Sequence, residues 1–314
     1  MYPGTEPYDE GMLDVGDGNL VHWDVAGHPD GLPALVVHGG PGSGCTPRTR
    51  RYFDPDRYRI VQFDQRNCGR STPHASSLDA DLRHNTTEHL IGDMELLREH
   101  LGVDRWLLFG GSWGSTLILA YSERHPTRVA GIVIDGVTST RRREIAWLYE
   151  GIGRFFPEQW ARFRDFAAPG DGDLVAAYAR LMDSPDPAVR AATAEAWCTW
   201  EDTAVSLEPN GVPDAYRGRP DDAKLAMVRI CTHYFAHAAW LEEGVLLREA
   251  GRLAGIRGVL LHGRFDISSP LETAWHLAER WPDAALTVVE DSGHTGSDTM
   301  RTLIRQALDS FVAR

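Results

Sequence analysis

The chain has 314 residues, 42% of them hydrophobic and 25% charged, which is enough apolar material for a large globular core. A formal charge of −13 would repel nucleic acid, and no apolar run reaches the ~18–20 residues that span a bilayer. The acidic segment Met1–Glu10 lacks the features of a signal peptide, and Cys45, Cys68, Cys198 and Cys231 show no zinc-like spacing, so reduced thiols in the cytoplasm are expected.

Leu13 to Val25 reads as a strand pair turning at Gly16-Asp17-Gly18. Ala34–Val37 is a short β-branched strand that stops at the glycine-rich His38–Gly44. A buried strand at Tyr58–Phe63 leads into Asp64–Ser71. Apolar positions Leu90, Met94, Leu97 and Leu101 predict a helix over 87–101, with Gly102 ending it. Then follow a strand at Trp106–Phe109, a helix at Thr116–His125, and strands at Val129–Ile134, Val259–His262 and Leu286–Val289. Strands alternating with helices imply a mostly parallel sheet covered on both faces. Between about 138 and 244 strand signals vanish. Aromatic-rich helical stretches replace them, at Trp147–Phe156, Trp160–Phe166, Ala191–Trp200 and Leu225–Trp240. The expected organisation is a core over 1–137 and 246–314, with residues 138–245 inserted as a helical cap over the sheet ends.

Gly110-Gly-Ser-Trp-Gly114 follows one of these strands and opens a helix. Such a G-x-S-x-G turn holds its serine on a tight backbone crossing with the hydroxyl exposed. Ser112 is therefore the candidate nucleophile, and the helix behind it favours developing negative charge. A serine hydroxyl needs a base to take its proton. His294, on the loop after the strand Leu286–Val289, fits the chain order Ser…Asp…His. Asp266, just past Val259–His262, would orient that imidazole and stabilise its charged form. His38 and His262 adjoin glycines and are expected to brace their loops. Two backbone N–H donors must stabilise the tetrahedral oxyanion, and Trp113 and Gly40 are the expected pair.

These segments resemble the prolyl aminopeptidases (proline iminopeptidases), which are capped α/β-hydrolases. The likeness rests on His38–Gly42, Asp64-Gln-Arg66 with Gly69-Arg-Ser71, Asn85-Thr-Thr87, Gly110–Ser115 and His262–Asp266. In the cap it extends to Phe156–Trp160, Trp197–Glu201 and His233–Phe235. The resemblance implies an α/β-hydrolase fold with an inserted helical cap and a serine hydrolase that uses neither metal nor organic cofactor. The substrate would be a small peptide or aminoacyl amide with a free amine, cut through an acyl-enzyme. It also implies that Glu201 binds the substrate ammonium by a charge-assisted hydrogen bond, and that Phe235, in the separate cap segment His233–Phe235, is a substrate-binding residue.

Two departures bear on specificity. The family's second glutamate is Cys231 here, in Arg229-Ile-Cys231, and Asp135-Gly-Val-Thr138 stands where Arg-Gly-Ile-Phe is typical, so Thr138 replaces a pocket aromatic. One lost charge-assisted hydrogen bond weakens amine binding by about 10-fold or more. The expectation is an aminoacyl-amide hydrolase with specificity shifted from proline, towards an aminoacylated specialised metabolite. The alternative is an esterase or lactonase on the same triad. A non-catalytic binding module is disfavoured, because no triad position is substituted.

Overall fold

The computed structural model describes residues 1–170 and 172–313. Its centre is one eight-stranded sheet in the order β1-β2-β4-β3-β5-β6-β7-β8. An antiparallel hairpin of β1 (Pro7–Asp14) and β2 (Leu20–Gly27) forms one end, and β2 pairs antiparallel with β4 (Tyr58–Phe63). From there on all neighbours are parallel: β3 (Leu32–Val37), β5 (Trp106–Ser112), β6 (Val129–Val137), β7 (Gly258–Gly263) and β8 (Ala284–Val289). The predicted strands all form. β1 begins at Pro7, ahead of the apolar stretch that marks the pair in the sequence, because its residues alternate half-buried and exposed on an edge.

Helices cover both faces of the sheet. Helices α1 (Thr87–His100) and α2 (Trp113–Arg124) pack one apolar cluster, which includes Trp106, Leu108, Leu117 and Tyr121. Gly102 takes φ +63° just beyond α1, the left-handed conformation that closes a helix at little cost in glycine.

After β6 the chain leaves the sheet and builds α3 (Arg142–Tyr149), α4 (Pro157–Ala167), α5 (Leu174–Met182), α6 (Pro187–Val205) and α7 (Asp221–Ala236). These helices share a separate apolar cluster in which Phe163 stacks on Tyr178 at 4.4 Å and on Trp200 at 5.3 Å, with Tyr149 against Trp197. Each fully buried ring contributes about 1.5–3 kcal/mol. The aromatic richness of this region is therefore its core. Three details differ from the sequence reading: the stretch expected at Trp147–Phe156 is broken at Glu150, between α3 and a 3-10 turn over Gly151–Phe155. α5 is an additional helix, and the stretch expected to run to Trp240 ends at Ala236, because Ala238, Ala239 and Trp240 all adopt left-handed φ angles near 50°.

A short α8 (Val245–Arg248) returns the chain to the sheet. Then α9 (Leu271–Arg280) and α10 (Asp298–Val312) alternate with the last strands, and α10 packs with Ile304 and Leu308 against Leu107, Val133 and Leu261. Among the described residues no helix is long and apolar enough to cross a membrane, and the four cysteines form no disulfide.

Candidate active site

Strand order reverses between β3 and β5, and the carboxyl ends beside that switch are where ligands bind in open α/β sheets. Ser112 stands there as the last residue of β5, with φ 54° and ψ −131°, and α2 starts at the next residue. A non-glycine residue at such a φ costs about 1–3 kcal/mol and persists because its surroundings fix it. The flanking glycines are what fix it. A Cβ on Gly110 or Gly114 would collide with the Val37 carbonyl, and one on Gly111 with the Asp135 carbonyl.

His294 lies between β8 and α10, and its Nδ1 is 2.8 Å from Asp266 Oδ2. Asp266 Oδ1 accepts from the Ser268 hydroxyl and the Ser269 N–H, each at 2.8 Å, so both oxygens are engaged. Asp266 thus holds the Nδ1–H tautomer and leaves Nε2 for another partner. Burial pushes the Asp266 pKa up, but the His294 charge and hydrogen bond outweigh it and hold the carboxyl below its ordinary range. Burial likewise works against the imidazolium. The Asp266 charge and hydrogen bond, then Glu208 and Glu201, overcome it and raise His294 to about 9. Ser112 Oγ makes no hydrogen bond among the described residues, yet Ser112 and His294 line one cavity of about 220 Å³.

Gly39 and Gly40 line the same cavity as Ser112. A Cβ on Gly39 would lie 3.4 Å from Ser112 Cβ, so the backbone passes directly over the serine. Gly40 holds φ +115°, a conformation closed to other residues, and its N–H makes no hydrogen bond among the described residues. Trp113 is the first residue of α2, where an N–H has no partner inside the helix. Both N–H groups belong to residues lining the cavity with Ser112.

Glu201, from α6, closes the cap side of the same cavity. Its Oε1 accepts the Tyr149 hydroxyl at 2.7 Å, and burial raises its pKa against the partial offset of that bond. Cys231, Thr138 and Phe235 line the cavity too. Burial, then the Glu201 charge, pushes the Cys231 thiol well up, so it is neutral; its Sγ donates to the Pro41 carbonyl at 3.2 Å. Arg219 also lines this cavity and has no carboxylate partner within 4.0 Å among the described residues.

The two competing histidines are occupied elsewhere. His38 accepts the Gln65 N–H at Nε2 (3.0 Å) and contacts the Gly39 carbonyl through Nδ1 (2.9 Å). His262 accepts the Val137 N–H and binds the Ser269 carbonyl. Burial lowers the pKa of both. Asp17, His84 and His89 bring ligand-type atoms within 4.8 Å of one another well away from Ser112, but Arg66 already supplies a cation 3.3 Å from Asp17.

Glu208 escaped the sequence reading. It follows α6, is only 7% exposed, and accepts the His294 N–H at 2.6 Å, the Thr295 N–H at 2.9 Å and the Thr295 hydroxyl at 2.5 Å. A Cβ on Gly293 would collide with its carboxylate, so the glycine admits the clamp. Nothing in the local sequence separates Glu208 from a solvated glutamate near a helix end.

Taken together, the groups suit acyl transfer: a hydroxyl on a strained turn, an oriented imidazole, unspent backbone donors, and a buried carboxylate lining the same cavity. Comparison with known proteins gives the family. The profile of the alpha/beta hydrolase fold family matches residues 33–299. A probable proline iminopeptidase of Streptomyces coelicolor is 46% identical, over 99% of this chain and 97% of its own. A proline iminopeptidase of Xylella fastidiosa is 43% identical over 99% of both chains, and one of Arabidopsis thaliana is 42% identical over 95% of this chain and 78% of its own. The fold is shared with a solved proline iminopeptidase of Mycobacterium smegmatis (TM-score 0.59, 18% identity, 96% and 98% of the two chains covered).

Proposed function

The chain belongs to the proline iminopeptidase family of α/β-hydrolases, and from that premise we propose that it is a serine aminopeptidase that removes an N-terminal aminoacyl group through an acyl-enzyme on Ser112. The observation that carries this reading is Glu201, a buried carboxylate in the same cavity as Ser112 and His294. Among the described residues no Arg, Lys or His nitrogen lies within 4.0 Å of Glu201; a buried acid so placed is costly, and the α-ammonium of a free N-terminus supplies a partner by a charge-assisted hydrogen bond. The helices over residues 138–245 act as the cap that brings this carboxylate over the nucleophile.

In the mechanism, Glu201 holds the substrate ammonium while Ser112 Oγ attacks the adjacent carbonyl carbon. The hydroxyl proton passes to His294 Nε2, and Asp266 stabilises the imidazolium across the 2.8 Å contact. The Gly40 and Trp113 N–H groups stabilise the oxyanion. As the C–N bond breaks, His294 returns its proton to the leaving nitrogen. Water, deprotonated by His294, then attacks the ester carbonyl and releases the amino acid with Ser112 restored.

The acyl preference is displaced from proline. Cys231 offers a neutral thiol where the resemblance places a second acid, Thr138 replaces an aromatic wall, and Arg219 lines the cavity. An acyl group larger or more polar than proline, as in an aminoacylated specialised metabolite, suits this lining. The test is a panel of aminoacyl-naphthylamides, their N-acetylated forms and simple acyl esters, beside fluorophosphonate labelling. Turnover that requires the free amine, with labelling confined to Ser112, is expected. Equal turnover of acetylated and free forms would refute the role of Glu201 and favour an esterase.

A further inference from the structure

A second cavity, of about 270 Å³, meets the first at Ser112. The two share Gly39, Ser112 and His294 and otherwise have separate walls. Ser112 and His294 therefore stand where the two cavities meet. Glu201 belongs only to the first, so the amine-bearing acyl group goes there and the departing group faces the second. His294, which must protonate the departing nitrogen, lines both.

The second cavity carries one acid. Asp135 sits near the carboxyl end of β6, in register with Gly111 on one side and Leu261 on the other, which fixes its position on the rigid sheet. Among the described residues no other residue donates a hydrogen bond to its carboxylate, and no Arg, Lys or His nitrogen lies within 4.0 Å of it. Of the other titratable lining groups, Tyr52 is pushed to about 12 by burial and then by Asp135 itself, so it stays neutral, while burial lowers the pKa of His38 and raises that of Cys45. Arg48 and Arg301 act on Tyr52 without pairing with Asp135. Burial raises the pKa of Asp135, with His294 opposing. A carboxylate so placed is completed by a cation brought in by a ligand, and Val36, Tyr52 and Phe109 offer apolar surface for the methylene stem that carries it.

We propose that this cavity is the leaving-group subsite and that Asp135 makes it selective for leaving groups with a positively charged side chain, such as lysine, arginine or a polyamine. The proposal rests on the aminopeptidase reading above, since it needs Ser112 to cut an aminoacyl amide.

The test compares alanyl and prolyl dipeptide amides whose second residue is lysine, norleucine or glutamate, by kcat/KM. In the wild type, lysine should exceed norleucine by about 10-fold or more, the value of one charge-assisted contact. Asp135→Asn and Asp135→Ser should shrink that ratio to about 2-fold or less and narrow the gap to glutamate. Asp104→Asn, an 84% exposed acid paired with Arg128, makes the same change in net charge and should keep the wild-type ratio. The proposal is overturned if the wild type shows no lysine preference while still cleaving alanyl-naphthylamide, or if the preference survives in both Asp135 variants. The wild-type ratio needs no variant to fold. Failure to cleave any free-amine substrate, naphthylamide included, would instead overturn the aminopeptidase reading.

Discussion

Replacing Glu208 by glutamine tests whether this carboxylate positions the His294 loop. Glu208 faces only donors: one oxygen takes the His294 N–H and the other takes the Thr295 N–H and hydroxyl. Glutamine can keep one oxygen in place, but its NH2 then meets a donor. One charge-assisted hydrogen bond is lost, about 1.5–3 kcal/mol, which for a domain of this size lowers Tm by about 3–8 °C. The kinetic signature is more specific. With His294 raised to about 9, the imidazolium predominates at pH 7. Glu208 is among the charges that raise this value, so its neutralisation lowers it. In a kcat/KM profile from pH 6 to 10, the ascending limb should move to lower pH in Glu208→Gln while the alkaline plateau drops by about 10-fold as the loop loosens. A Tm loss with an unmoved limb, or a limb moved to higher pH, would refute the positioning role.

Glu201→Gln should raise KM for free-amine substrates by about 10-fold or more while leaving reactivity of Ser112 towards fluorophosphonate within about 2-fold, read by steady-state kinetics and labelling rates. Cys231→Glu, which restores a second acid at the cavity, should lower KM for prolyl-naphthylamide by about 10-fold and increase the proline preference across the panel. For pH and stability, the raised His294 pKa contributes stability that is full below the unfolded value of about 6.5 and lost as pH rises through about 9. The lowered Asp266 pKa contributes stability that is present above its unfolded value and lost as pH falls through the folded one. Thermal melts should therefore show Tm falling between pH 7 and 10, less steeply in Asp266→Asn, which lacks the charge that raises the histidine.

The fold class and the three triad candidates were readable from the sequence because each is locally encoded. Glycines at 110, 111 and 114 form one short motif around Ser112, although the carbonyls that demand them, Val37 and Asp135, come from neighbouring strands; Asp266 follows a buried strand, and His294 follows one that alternates between half-buried and exposed until its last residue. Sheet order then brings the carboxyl ends of those strands to one edge. The Gly102 helix stop was legible for the same reason. Other features depend on groups distant in the chain. Glu208 clamps a loop 86 residues away, Asp135 faces a cavity whose other walls come from β3, β5 and the turn after β3, and the His294 pKa sums burial with three carboxylates brought from separate segments. A sequence states which residues can carry charge, whereas Coulomb energy and desolvation depend on distances and burial that exist only once the chain has folded. A short glycine motif thus marked the turn that carries Ser112, and tertiary packing supplied both the strand carbonyls that require those glycines and the acids that surround His294.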